Sequence, residues 1–234
     1  EMELEDEDSQ NLRSKIDPEV VLDVAVIRLP HISNFTDFDP LKQIDGISVR
    51  FVKNVNEIGK AELVILPGSK NTIADLAFLH EKGFAAELKN LCGNTWILGI
   101  CGGFQMLGES VDDPHDMEAG GLGSGLDFLP MTTVLEGDKQ LEKREYQGQN
   151  LLEGLCWTGY EIHLGISEIR SIELESIVKN DASLCVIDRK QKIIGTYIHG
   201  WLESTEVTKR LLDLVSPEPF DIPFSFQQTK EREM

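Results

Sequence analysis

The chain has 234 residues, and its 22 Lys and Arg against 41 Asp and Glu give a formal charge of −19. With 41% apolar residues it is composed like a globular chain, long enough to bury about three quarters of its unfolded surface without disulfide or metal staples. Composition disfavours disorder, collagen and repeat arrays. The negative excess disfavours a phosphate backbone or an anionic lipid surface, so no nucleic acid and no membrane is expected as a partner.

The acid is concentrated at the start. Glu1, Glu3, Glu5, Asp6, Glu7 and Asp8 have no base among them, so residues 1–20 read as an acidic leader or interdomain linker, the opposite of a targeting peptide. No apolar run approaches the ~18 residues a membrane span requires. Cys92, Cys101, Cys156 and Cys185 form no CxxC pair and no close Cys/His cluster. No metal site and no disulfide framework is expected, and a reducing cytoplasm is the expected compartment.

Strand candidates follow at Val24–Leu29, stopped by Pro30, at Ile47–Val52 and at Leu63–Leu66, stopped by Pro67. From Thr72 to Leu91 the period changes to three and four (Ile73, Leu76, Ala77, Phe84, Leu88, Leu91), broken at Gly83, which predicts one or two amphipathic helices. Trp96–Ile100 is a fourth strand, followed by a helical Phe104–Ser110. Residues 112–125 and 136–150, rich in Asp, Gly and polar residues, read as surface connections. Further strands are predicted at Tyr160–Ile166, Leu184–Asp188 and Ile193–Ile198, then a helix over Ser204–Val215 with Ser204 as N-cap. Strands alternating with helices predict an α/β fold, a mostly parallel central sheet covered by helices on both faces. The globular domain is expected over residues 21–216, and 217–234, with its three prolines, reads as an irregular tail.

Chemistry concentrates at Gly99-Ile100-Cys101-Gly102-Gly103, a nucleophile between small residues where a strand turns into a helix. This is the spacing of a nucleophile elbow with cysteine in place of serine. Free amides and the dipole at a helix N-terminus favour the thiolate, the attacking species. Taken alone, three fixed positions fit a small buried hydrophobe equally well. Among five histidines, His199 ends a predicted strand and precedes Gly200, so it lies at the sheet edge where α/β proteins assemble sites, as Cys101 does. His163 lies within a predicted strand, on the same face as Glu161. Pro67-Gly68-Ser69 also ends a strand. It lacks phosphate-loop spacing, and an amide there, with that of Gly102, suits an oxyanion better; an ordinary turn is the plainer alternative.

PGS (67–69), GICGGFQMLG (99–108) and GTYIHG (195–200), in this order and separation, resemble the triad-type (class I) glutamine amidotransferases. RLPHISNFTDFDP (28–40), LPGSKNT (66–72) and GYEIHLG (159–165) are similar to the glutaminase half of the cobyric acid synthase branch. The likeness runs from about Val24 to Val215.

The resemblance implies a flavodoxin-like class I glutamine amidotransferase domain in which Cys101 attacks the side-chain amide of glutamine and His199 protonates the departing ammonia. It implies that Gly68 and Gly102 hold the oxyanion and that Gln105 and His163 line the glutamine pocket. Ammonia would pass to an ATP-dependent synthetase domain, using ATP and magnesium, that amidates adenosylcobyrinic acid a,c-diamide to adenosylcobyric acid. No phosphate-binding loop occurs in these 234 residues, so the chain is expected to be a fragment or a separate subunit with no cofactor of its own, meeting the corrinoid only through its partner. The family's usual glutamate two residues after the histidine is here Trp201, which matches a Cys-His dyad branch; Glu203 or Glu161 are the candidates to replace it. Alternatives are the glutaminases of cobyrinic acid a,c-diamide synthase and of lipid II amidation, a catalytically silent docking domain, and a cysteine hydrolase or isomerase on a similar sheet.

Overall fold

The computed structural model of the chain describes residues 20–137, 141–171, 173–179 and 181–216. The acidic leader, apart from Val20, and the tail expected over 217–234 lie outside the described residues.

Four apolar runs form the first strands, β1 (Leu22–Ile27), β2 (Ile47–Val52), β3 (Leu63–Leu66) and β4 (Trp96–Ile100). Every residue of β3 and β4 is buried, as near-continuous apolar strands of a covered parallel sheet should be. After β1 comes a 3-10 turn (Phe35–Phe38) running into α1 (Asp39–Lys42). After β3 come α2 (Thr72–Glu81) and α3 (Phe84–Leu91), separated by Gly83 at φ 82°. After β4 comes the short α4 (Gly102–Met106).

The second half carries β5 (Ser110–Asp113), β6 (Gly121–Ser124), β7 (Met131–Val134), β8 (Glu142–Gln147), β9 (Cys156–Glu161) and β10 (Ile166–Ile169). It closes with β11 (Glu175–Ser176), β12 (Cys185–Asp188), β13 (Ile193–Thr196), β14 (Ile198–His199) and α5 (Thr205–Val215). In α5, Ser204 caps the Val207 amide at 3.4 Å and Val207, Leu211, Leu212 and Val215 are buried, the face its period predicts.

The main sheet runs β11-β12-β13-β4-β3-β1-β2. β2, β1, β3, β4 and β13 are parallel, whereas β12 and β11 are antiparallel, so the sheet is mixed and mostly parallel. Two smaller sheets, β10-β7-β5-β6 and β14-β9-β8, stand beside it, and each takes one strand from a stretch expected to be a connection. Residues 112–125 hold β6, and 136–150 hold β8. Both read as loops for a physical reason. β6 is half glycine, and in β8 only Tyr146 is buried, so neither shows an apolar alternation, and pairing to β5 and β9 stabilises them.

Two predicted strands are divided. Residues 160–166 leave one sheet after Glu161 and enter another at Ile166, with Gly165 at φ 93° between them. Residues 193–198 break at Tyr197, where the Ile198 amide donates to Thr196 Oγ1 at 3.0 Å and the chain passes from the main sheet to β9.

β1 is flanked by β2 on one side and β3 on the other, so the strand order reverses there, the place where open α/β sheets assemble sites at their carboxyl ends. The segments after β1, β3, β4 and β13 all leave that edge. α4 rests so closely on β3 that a Cβ on Gly103 would lie 2.0 Å from the Leu66 carbonyl oxygen. Gly103→Ala is therefore expected to destabilise the fold by at least ~1–3 kcal/mol, seen as a lower urea midpoint at unchanged m-value.

Candidate active site

Cys101 follows β4 directly and takes φ 52°, ψ −110°, a left-handed backbone that residues with a Cβ rarely adopt. Neighbouring bonds hold it there. Its amide donates to Thr196 O on β13 at 2.8 Å, and its carbonyl accepts from Gln105 N at 3.1 Å. Such strain is a feature of nucleophile elbows, and it projects the side chain off the sheet edge. Sγ lies 3.6 Å from the Ile162 carbonyl, and the thiol is near enough to His199 to favour the imidazolium. α4 has five residues, so the helix dipole expected to act on the sulfur is weak, and the imidazole is the stronger electrostatic partner.

His199 is fully buried, at the end of β14, paired with Tyr160 on β9. The Tyr160 ring stacks on it at 5.2 Å between centroids. Its Nδ1 lies 2.8 Å from Asp37 Oδ2, and Asn34 Nδ2 lies 3.0 Å from Nδ1 and 3.2 Å from Nε2. Burial works against the imidazolium, but the bond to Asp37 and the nearby Cys101 sulfur outweigh it and push the pKa up to about 10. Tyr160 moves up to about 12, first through burial and then through the negative charges of Asp37 and Glu203, which keeps its phenol neutral.

The acid that meets His199 is a finding that local sequence did not reveal. Glu161, one candidate, accepts from Arg144 Nε at 2.8 Å and from the Tyr146 hydroxyl at 2.9 Å. Glu203, the other, lies in the 3-10 turn Trp201–Glu203, and Trp201 is buried in the core. The carboxylate on Nδ1 is that of Asp37, which corrects both candidates and the expectation of a bare dyad. The only local signal was Asn34 and Asp37, three apart on a turn after the first strand.

Gly68 and Gly102 come together at the elbow. A Cβ on Gly68 would lie 3.8 Å from Cys101 Cβ, and one on Gly102 would lie 2.9 Å from the Ser69 nitrogen. Ile32 and Ser69 form an antiparallel bridge through Ser33 N to Gly68 O (2.8 Å) and Lys70 N to His31 O (2.9 Å), a pattern that does not use the Ser69 amide. Buried Asp75 fastens this loop, accepting from Ser69 Oγ at 2.6 Å and meeting His31 Nδ1 at 2.9 Å.

Gln105 is buried on α4, where its Nε2 donates to the Leu164 carbonyl at 2.8 Å and Oε1 accepts from Thr72 Oγ1 at 3.4 Å. It thereby holds residues 162–164 across the elbow. His163 is not in a strand. It lies in the connection from β9 to β10 and stacks on Tyr197 at 4.0 Å between centroids. Glu118 accepts from the Thr72 amide, and its loop is organised by Asp113. Burial opposes that carboxylate's charge, yet four amides, from Met117, Glu118, Ala119 and Gly120, hold it below the usual range. Among the described residues, no group of three or more His, Cys, Asp or Glu is placed to hold a metal ion. No helix among them is long and apolar enough to cross a membrane.

A strained cysteine, a buried charged histidine and facing backbone amides form the constellation needed for acyl transfer through a thioester. A model of the CobB/CobQ-like glutamine amidotransferase domain matches residues 23–207. The cobyric acid synthase of Caldanaerobacter subterraneus subsp. tengcongensis is 39% identical, covering 91% of this chain and 46% of that protein. That of Lachnoclostridium phytofermentans is 36% identical, covering 99% and 50%. The chain thus spans about half the length of the curated relatives it matches. A crystal structure of a glutamine amidotransferase superposes with a TM-score of 0.63 at 17% identity, over 82% of this chain and 98% of that one. The PurLQS structure from Thermotoga maritima gives 0.62 at 15%, over 83% and 99%. At these identities the structures show a shared fold.

The raised pKa of His199 has a consequence for stability. A group whose folded pKa exceeds its unfolded value, ~6.5 for histidine, adds stability that is fully present below that value and lost as pH rises towards about 10. The stability difference between the parent and His199→Gln should be greatest near pH 6 and shrink steadily to pH 10, as measured by urea unfolding across that range.

Proposed function

Because the chain belongs to the CobB/CobQ-like glutamine amidotransferase domain family, we propose that it is the glutamine-hydrolysing part of a cobyric acid synthase. One observation carries the chemistry: Cys101, on a strained elbow after β4, shares the carboxyl edge of the sheet with the buried His199, whose Nδ1 lies 2.8 Å from Asp37 Oδ2. The Cys101 thiolate attacks the side-chain carbonyl carbon of glutamine. The tetrahedral oxyanion rests on amides of Gly102 and the Gly68 loop. His199 delivers its proton to the leaving nitrogen as the C–N bond breaks, releasing ammonia and leaving a thioester. Water, deprotonated by the now neutral His199, attacks that carbon; the C–S bond breaks and glutamate departs. Gln105 and His163 flank the elbow and serve the glutamine pocket.

Ammonia passes to an ATP-dependent synthetase portion that amidates adenosylcobyrinic acid a,c-diamide to adenosylcobyric acid. The 36–41% identity to cobyric acid synthases favours this branch over the diamide synthase and lipid II glutaminases. The negative charge suits the division of labour, since glutamine is a zwitterion and ammonia is neutral, so this chain has no polyanion to hold. ATP and magnesium belong to the synthetase portion. The residues present here do not fit them: Gly68-Ser69-Lys70 lacks phosphate-loop spacing, and Ser69 Oγ is committed to Asp75. The reaction is assigned to the cytoplasm.

In the presence of the synthetase portion, the chain should release glutamate from glutamine, and Cys101→Ala and His199→Ala should each lower that rate by roughly a thousandfold or more. Equal rates in parent and Cys101→Ala would reject the mechanism and favour a silent docking role.

A further inference from the structure

The position two residues after His199 carries Trp201, buried in the core, so an acid for the histidine must come from elsewhere in the chain. It comes from the segment after β1. Asn34 and Asp37 are three residues apart at the start of a 3-10 turn, whose three residues per turn stack positions i and i+3 on one side. Both side chains therefore point the same way, and both reach His199.

The turn is a firm platform. The Asp37 amide closes it onto Asn34 O at 3.1 Å, and the Ser33 amide ties its approach to Gly68 O at 2.8 Å. Phe38 and Leu41 are wholly buried, Phe38 packs edge-on to Phe51 at 6.3 Å, and Pro40 lies in the first turn of α1. Asp37 itself is only 6% exposed. Two ionisable groups withdrawn from water cost stability unless each satisfies the other, and removing one leaves a buried charge.

The contact is also directional. With Nδ1–H donated to Asp37 Oδ2, the tautomer is set and Nε2 is the nitrogen left to hand a proton to a leaving group and take one back from water. We infer that Asp37 is the positioning acid of this site, making Cys101–His199–Asp37 a triad whose acid comes from the loop after the first strand rather than from the residue two past the histidine. The inference rests on the glutaminase reading. Asp37 forms and breaks no bond to substrate: it keeps its charge while the Nε2 proton moves to the departing ammonia and is replaced from water.

The test compares Asp37→Asn and Asp37→Glu in the full chain with its synthetase portion, alongside Cys101→Ala. Asp37→Asn is expected to lower kcat on the order of 100- to 10,000-fold with KM for glutamine changed less than about threefold. Its alkaline limb of activity should move to lower pH, because the imidazolium loses its anion, and Asp37→Glu should recover at least about tenfold of the loss. A structural role alone would lower the folded fraction and leave the limb where it was. If the variants fail to fold, proton NMR of the folded parent decides. A downfield Nδ1–H signal from His199, persisting above pH 8, is expected, and its absence overturns the inference. If Cys101→Ala is inactive while Asp37→Asn keeps the parental rate and pH limb, the triad is wrong and the glutaminase reading stands. If Cys101→Ala is as active as the parent, the glutaminase reading itself fails.

Discussion

Cys101 holds a backbone conformation that costs ~1–3 kcal/mol for a residue with a side chain, and the structure around it is built to keep it there. β13 bonds its amide, α4 bonds its carbonyl, and α4 is pressed onto β3 so tightly that only glycine fits at position 103. The sheet supplies the stiffness: β3 and β4 are buried along their whole length and paired in register from Leu63–Trp96 to Leu66–Gly99. A looser core would relax the turn and withdraw the sulfur from the edge. The positions of the histidine, the Gly68 loop and residues 162–164 matter only because the sulfur stays where they converge.

Buried acids then organise the loops around it. Among the described residues of a chain with 41 acids, four carboxylates are buried, Glu161 with Arg144 and Tyr146 and three in loops around the site, each compensated by a different set of donors. Asp75 gathers the Ser69 hydroxyl and His31, fastening the loop after β3. Asp113 gathers four amides and fastens the loop that carries Glu118 to the start of α2. Asp37 meets His199 and fastens the segment after β1 to the segment after β13. A buried carboxylate without such donors would be strongly unfavourable, so each of these loops is locked into one arrangement. The loop positions around the sulfur are therefore as determined as the strands that carry them.

Much of this was legible in local sequence where one physical signal dominated. Apolar runs ended by Pro30 and Pro67 marked buried strands, and the change to a helical period after Thr72 marked α2 and α3, with Gly83 between them. Short ribbons were not legible. β6 and β8 show no apolar alternation, because their stability comes from pairing with β5 and β9 rather than from burying a face of their own. Strands that change sheets look continuous in sequence, since residues 160–166 and 193–198 keep the composition of a strand across the point where they switch partners. His163 moved from a strand face to a connection for that reason.

The sequence by itself determined the chemistry available: a cysteine between glycines after a buried strand, a histidine after another, and a Pro-Gly-Ser turn after a third. These are properties of neighbours along the chain, set by spacing and local conformational preference. Tertiary structure decided which groups meet. Asp37 and His199 are 162 positions apart, and nothing in either neighbourhood marks the other. They touch because the reversal of strand order at β1 and the parallel placement of β13 bring the carboxyl ends of distant strands to one edge. The same edge separates candidates that look alike in sequence, leaving Glu161 to Arg144 and Tyr146 and giving the buried imidazole to Asp37.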